Sequence, residues 1–306
     1  MVTSILGYVA AAELRLRRAG LSPDEATLDA EFLARYALGW NRAAFLTRRG
    51  TPAPEAFGPC YHELVARREL REPVSLITRQ REFWGLNFAV TPDVLTPRPE
   101  TELLVEETLT IVREKARGGS AIRGLRIADV GTGSGCIAIA LAHELGATLD
   151  SPIIAIDPSA AALAVARQNA DRHGVSGHVE WREGSLLHDL PRAAGLGFDL
   201  IAANLPYVSD AEFHALAPEV RDFEPRLALA GGHDGLDVIR ALIDQVSSRP
   251  TLLARTGHVL LEIGAGQIGA VRAQVSSAPD LSITKIRDDL QQIPRVVVIE
   301  KEPADA

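Results

Sequence analysis

The chain has 306 residues, 46% of them hydrophobic, with a formal net charge of −8 and two cysteines. That length and apolar content fit about two folded domains and exclude wholesale disorder. The acidic balance argues against gripping a long polyanion by general electrostatics. Two thiols, Cys60 and Cys136, exclude a disulfide framework and suit a reducing compartment. No Cys/His group has zinc-ligand spacing, so no metal site is expected. The opening MVTSILGYVAAAELRLRRAG has no basic segment ahead of its apolar piece, so it reads as an amphipathic helix and not a signal peptide. No run approaches the length that crosses a bilayer. A cytoplasmic protein with no membrane partner is expected.

In chain order, residues 1–75 read as a small helical module. Ile5, Val9, Ala12, Leu16 and Ala19 recur at helical spacing and Gly20 stops the run. A second helix opens on Ser22, Pro23 and acids, and closes at Gly39. Residues 76–97 alternate, with a glycine turn in FWGLNFAV, and read as a β-hairpin connector. PRPETELLVEE then opens a helix with Pro99 near its start and Glu100 and Glu102 in its first turn. The remaining chain, 98–306, alternates strand and helix. LRIADVG, SPIIAID, GHVEWREG, FDLIAANLPY, TGHVLLEIG, LSITKIRD and PRVVVIEKE are the strands; CIAIALAHEL, SAAALAVARQNADRHG, GLDVIRALIDQVSS and AGQIGAVRAQVSS are helices. Such alternation predicts an α/β domain with a mainly parallel sheet covered on both faces.

ADVGTGSGCIAIALA puts Gly131, Gly133 and Gly135 between a strand and a helix. Glycines there let the backbone approach a ligand, and the helix start offers unpaired N–H groups. The spacing is neither the dinucleotide G-x-G-x-x-G nor a P-loop. Asp157 ends the next strand, where a carboxylate can accept both hydroxyls of a ribose. The pair predicts an adenosine-bearing cofactor and leaves nicotinamide and S-adenosylmethionine both open.

The tip Asn204-Leu205-Pro206-Tyr207 discriminates further. It follows a strand whose carboxyl end belongs to the edge where parallel sheets bind ligands. The Asn204 side-chain oxygen and the Leu205 carbonyl are two acceptors. Pro206 stiffens the corner and pushes Leu205 toward extended geometry. Tyr207 offers a flat wall. Two acceptors and a wall suit a planar NH2 group, whose nitrogen they would orient for attack on a methyl group.

With these pieces assembled, the chain resembles the class I S-adenosylmethionine-dependent methyltransferases that act on amide or amino nitrogen. More narrowly, it resembles the release-factor glutamine methyltransferases, the HemK/PrmC family. TPRPETELLVE (96–106), DVGTGSGCIAIALA (129–142), NLPYV (204–208), PEVRDFEPRLALAGGHDGLDVIRALI (218–243), LLEIGAGQ (260–267) and the helical front module carry the resemblance. It implies a Rossmann-like domain with a seven-stranded, mostly parallel sheet, behind an N-terminal helical bundle and a β-hairpin connector. It implies that Gly131, Thr132, Gly133, Ser134 and Gly135 wrap the methionine end of S-adenosylmethionine and that Asp157 holds the ribose. Ser185 and Leu186 would meet the adenine, and Pro99 and Thr101, in the PRPETE segment, would cover the cofactor. Asn204, Leu205, Pro206 and Tyr207 would hold the substrate, the glutamine of a Gly-Gly-Gln loop on a peptide-chain release factor, gripped with help from the helical module. Two positions depart from the family pattern. Leu205 stands where proline is usual, but its main-chain carbonyl is unchanged. Ser185 stands where an acid is common and offers a neutral hydroxyl.

Other residues take plainer readings. Glu100 and Glu102 suit a helix dipole, Cys136 suits core packing, Arg226 suits a local ion pair or the partner, and ARRELRE (66–72) a solvated helix face. Competing functions are methylation of a ribosomal-protein glutamine, N6-methylation of RNA adenine, and a non-catalytic S-adenosylmethionine-binding module. A nicotinamide oxidoreductase fits less well. No direct nucleic-acid contact is expected.

Overall fold

A computed structural model describes residues 4–119, 121–188, 190 and 197–301. Residues 302–306, the end of the expected 98–306 domain, lie outside the described residues. The chain divides into two compact units, Met1–Arg79 with Ala217–Phe223, and Gln80–Leu216 with Glu224–Ala306.

The first unit is helical. α1 (Ile5–Arg18) starts at Ser4, whose hydroxyl accepts from the Gly7 N–H, and buries Ile5, Val9, Ala12 and Leu16 along one face. α2 (Pro23–Leu38) opens on a capping box between Ser22 and Glu25 and ends at Gly39, whose φ of 64° costs glycine least. α3 (Arg42–Arg48), α4 (Phe57–Glu69) and α5 (Val74–Thr78) follow. Phe45, Phe57, Tyr61 and Val65 are central to the core, and the buried Tyr61 hydroxyl donates to the Ala30 carbonyl at 2.9 Å. Sequence reading ends this module at residue 75 and finds no later contribution. The structure adds Ala217–Phe223, because Glu219 accepts from Arg68 at 2.9 Å and from Arg71 at 2.8 Å. Arg68 is 5% exposed and also donates to Asp29 at 2.7 Å. Stripping one partner from a buried ion pair costs about 3–5 kcal/mol, which explains why a distant acid is recruited here.

The second unit begins with β1 (Gln80–Phe83) and β2 (Leu86–Ala89), an antiparallel hairpin. Its turn residues Trp84 and Gly85 have φ of 55° and 70°, the left-handed pair that a two-residue loop requires. The Trp84 N–H donates to Glu102 at 2.9 Å, and Phe83 and Phe88 pack into the main core. After a single turn at Pro99–Thr101 come α6 (Glu102–Arg117), β3 (Ile127–Val130), α7 (Cys136–Leu145), β4 (Ile153–Asp157), α8 (Ala160–Arg172), β5 (Val179–Glu183), β6 (Phe198–Ala203) and α9 (Asp210–Phe213). The helix α10 (Pro218–Arg221) belongs to the first unit. Then follow α11 (Asp237–Ser248), β7 (Leu253–Glu262), α12 (Ile268–Ser276), β8 (Leu281–Asp288) and β9 (Pro294–Lys301).

Seven strands form one sheet in the order β5-β4-β3-β6-β7-β9-β8. The first five are parallel, and β9 runs antiparallel to β7 and β8. Strand residues alternate between two cores. Ile127, Ala155, Leu200 and Leu260 meet α6, α7 and α8, while Val130, Ile201, Ala203 and Leu261 meet α11 and α12. Burial on both faces accounts for the nearly unbroken apolar runs of the central strands. Among the described residues, no helix is long and apolar enough to cross a membrane and no cluster of His, Cys, Asp and Glu could hold a metal ion.

Asn169 of α8 ties this unit together. Fully buried, it accepts from the Ala89 N–H at 2.7 Å and donates to the carbonyls of Ala89 and Ser134 at 3.0 Å each. Asn169→Ala would leave these backbone groups without that partner. It is expected to lower the free energy of unfolding in urea by about 2–4 kcal/mol, since each orphaned buried group costs about 1–3.

Candidate active site

The site follows from strand order. From β3 the chain builds outward through β4 to β5, whereas β6 returns to the other side of β3 and leads to β7. Loops leaving β3 and β6 therefore diverge and leave a crevice at their carboxyl ends. The register puts Val130 beside Ala203 and Ile156, so Gly131, Asp157 and Asn204 emerge side by side. A cavity of about 420 Å³ opens there.

The glycine loop is held from behind. Gly131, Gly133 and Gly135 have φ of 76°, 55° and 82°. At Gly131, a Cβ would lie 3.2 Å from Leu205 Cδ2 and 3.4 Å from the Asn204 carbonyl oxygen. At Gly135 it would lie 2.9 Å from Ile139 and 3.1 Å from Ala166 and Trp181, whereas at Gly133 nothing stands within 4 Å. The Thr132 hydroxyl donates to Asp129 at 2.6 Å and the Ala138 N–H donates to the same oxygen at 3.0 Å. Asp129 is fully buried, and that burial pushes its carboxyl up to about 7 against both hydrogen bonds. Asp157 accepts from the Gly133 N–H at 2.8 Å and the Ser159 N–H at 2.9 Å. Burial raises its carboxyl as well, and a carboxylate has capacity for two more donors from the cavity that it lines.

The Asn204 tip is backed by the glycines of AGGHDG. Val208 bridges Ala230 in parallel, with the Val208 N–H on the Leu229 carbonyl at 2.9 Å and the Gly231 N–H on the Val208 carbonyl at 2.8 Å. A Cβ at Gly231 would meet the Pro206 oxygen at 2.7 Å, and one at Gly235 the Tyr207 oxygen at 2.3 Å. Asn204 donates through Nδ2 to Thr101 Oγ1 at 3.0 Å.

Of the residues singled out in the sequence, Gly131, Gly133, Asp157, Ser185, Leu186, Asn204, Leu205 and Pro206 line the cavity together. Leu186 holds φ at 54°, a costly value for a branched side chain that places it on the wall. Thr132, Ser134 and Gly135 are not on the lining and are buried beneath it. Pro99 is exposed, Thr101 is buried behind Asn204, and Tyr207 is half-buried with its hydroxyl 3.4 Å from Glu262. None of these last three lines the cavity. From the stretch before Pro99, it is Asp93, Val94 and Leu95 that do so, and Pro225, Leu227, Ala228 and Ala230 supply another wall with Asp237, Val238 and Ala241. Sequence reading missed these walls, although the glycines around 231–235 signalled a close backbone approach. It also missed Asp129 and Glu262, whose signal was an acid within an apolar strand.

A model of the PrmC N-terminal domain matches residues 8–78 and a methyltransferase-domain model matches 127–223. A release factor glutamine methyltransferase of Geobacter sulfurreducens is 41% identical over 83% of this chain and 82% of its own. One of Nitratidesulfovibrio vulgaris is 38% identical over 96% of this chain and 94% of its own. Among solved structures, the hMettl16 catalytic domain is similar with a TM-score of 0.54 and 14% identity, over 80% of this chain and 85% of that one, a likeness of fold.

The contacts at the glycines separate support from lining. Gly135→Ala is expected to cost about 2–4 kcal/mol in chemical denaturation, adding left-handed strain to overpacking. Gly133→Ala, which meets open space, is expected to cost no more than about 2 kcal/mol, from strain alone.

Proposed function

The chain belongs to the release factor glutamine methyltransferase family, and from that premise we propose that it transfers a methyl group from S-adenosylmethionine to the side-chain amide nitrogen (N5) of the glutamine in the Gly-Gly-Gln motif of a peptide-chain release factor. The observation that carries this reading is the convergence of the glycine loop, Asp157 and Asn204–Pro206 on one cavity.

The cavity suits the cofactor. Among the described residues, Asp93, Asp157 and Asp237 line it without a Lys or Arg, which favours a positively charged ligand over a pyrophosphate. The open space beside Gly133 admits a ligand against bare backbone. When bound, S-adenosylmethionine supplies a methyl group on a positively charged sulfur. In this reading Gly131 and Gly133 border its methionine end, with Thr132, Ser134 and Gly135 shaping the loop. Asp157 accepts the ribose hydroxyls, Ser185 meets the adenine amine and Leu186 packs on its ring. Thr101, assigned to the cofactor side by resemblance, instead supports Asn204, and Pro99 starts the turn that positions it.

On the acceptor side, the Asn204 Oδ1 and the Leu205 carbonyl take the two N–H groups of the incoming carboxamide. An amide nitrogen is a poor nucleophile because its lone pair is delocalised. Two fixed acceptors orient it and stabilise the charge that grows on it as it attacks. Pro206 stiffens the corner, and Tyr207, expected to shape the slot, supports it from behind through its hydroxyl on Glu262. The helical module, residues 1–75 in the sequence reading, grips the release factor in the cytoplasm, and no nucleic-acid contact is needed.

Mass spectrometry after incubation with S-adenosylmethionine tests the reading, with release factor and ribosomal RNA offered separately. Methyl on the Gly-Gly-Gln glutamine supports it, and methyl on RNA alone sinks it. Asn204→Ala is expected to lower kcat by about 10²–10³ while the calorimetric Kd for S-adenosylmethionine changes by about threefold or less. Equal losses would assign Asn204 to the cofactor.

A further inference from the structure

Behind the Asn204 tip lies a second row of polar groups. Glu262, at the end of β7, is 1% exposed and Thr101, just before α6, is 2% exposed. The Thr101 hydroxyl donates to Glu262 Oε2 at 2.7 Å. The Tyr207 hydroxyl donates to the other oxygen at 3.4 Å. Asn204 Nδ2 donates to Thr101 Oγ1 at 3.0 Å.

The direction of this chain follows from counting protons. A hydroxyl has one, and a carboxylate has none. An ionised Glu262 therefore accepts the Thr101 O–H, and Thr101 Oγ1 presents only lone pairs to its other neighbour. Only the NH2 end of the Asn204 amide can meet a lone pair. Its oxygen is left for the cavity that Asn204 lines.

We infer that Glu262 and Thr101 are positioning residues that fix the Asn204 amide with its oxygen toward the substrate, Glu262 setting the direction in its ionised form, which has no proton to give. The inference rests on the proposed glutamine methylation. A flipped Asn204 would set its own NH2 against the NH2 of the acceptor, donor against donor, and the site would lose one of its two acceptors.

Burial pushes the Glu262 carboxyl up to about 7, while the Thr101 hydroxyl, the Arg295 charge and the Tyr207 hydroxyl lower it and Glu100 adds to the rise. Arg295 is itself shared with Asp289 at 2.9 Å. A protonated Glu262 can donate to Thr101 and reverse the chain. Turnover is therefore expected to climb with pH through about 7.

The test combines side-chain amide NMR of the full-length protein with kinetics, using Asn204→Ala only to assign the resonances. One Asn204 Nδ2 proton is expected to exchange slowly in the wild type. Thr101→Val should lose that protection and lower kcat at least about tenfold, with the Kd for S-adenosylmethionine within about threefold. Thr101→Ser, which keeps the hydroxyl, should restore both signals, whereas a merely structural role would show in the thermal midpoint. Glu262→Gln should lower kcat similarly and flatten its rise with pH. A wild-type Asn204 amide whose protons both exchange freely, or Thr101→Val at wild-type kcat, overturns the chain. A protected proton in a protein that methylates no glutamine leaves the chain standing and overturns the acceptor proposed above.

Discussion

The pairing of β3 with β6, Val130 beside Ala203, governs the geometry of the site. Parallel strands carry all their carboxyl ends to one edge, and only where the connections diverge does that edge open. A slip of β6 by one residue against β3 would turn Ala203 toward the other core and carry Asn204 away from Gly131. The two cores on either side of the sheet resist such a slip, because each strand alternates between them. Packing energy spread over the whole unit thus fixes the spacing between a backbone loop and a single amide.

Within that frame, polar groups are placed in two ranks. The front rank faces the cavity with few side-chain commitments. The rear rank is buried, and each of its acids is engaged: Asp129 with Thr132 and Ala138, and Glu262 with Thr101. Removal from water pushes both carboxyls up to about 7. Their hydrogen bonds tie the glycine loop through Thr132 and the Asn204 side chain through Thr101.

Much of this was legible in the sequence because the signals were local. Ser22 with Glu25, the glycines ending helices, the apolar strand runs and the glycine loop each act over a few residues, and each lies where expected. The cavity wall formed by Gly131, Asp157 and Asn204 was legible for the same reason, since each ends a strand or begins a loop. The rest depended on contacts between distant positions. The walls at Val94 and Leu227 follow from how loops cross the sheet edge. Thr101 was expected at the cofactor, but it lies behind Asn204 because its hydroxyl is drawn to Glu262, far along the chain. Glu219 gave no hint that it joins Arg68 and Arg71.

That last association bears on how such proteins can be recombined. The chain contributes Ala217–Phe223 to the helical unit and then resumes the sheet unit at Glu224. A transplanted amino-terminal segment would bring the Arg68–Asp29 pair with it but would draw the second carboxylate, that of Glu219, from the recipient's own loop. Donor and host must therefore match at Arg68 and Arg71 on one side and Glu219 on the other.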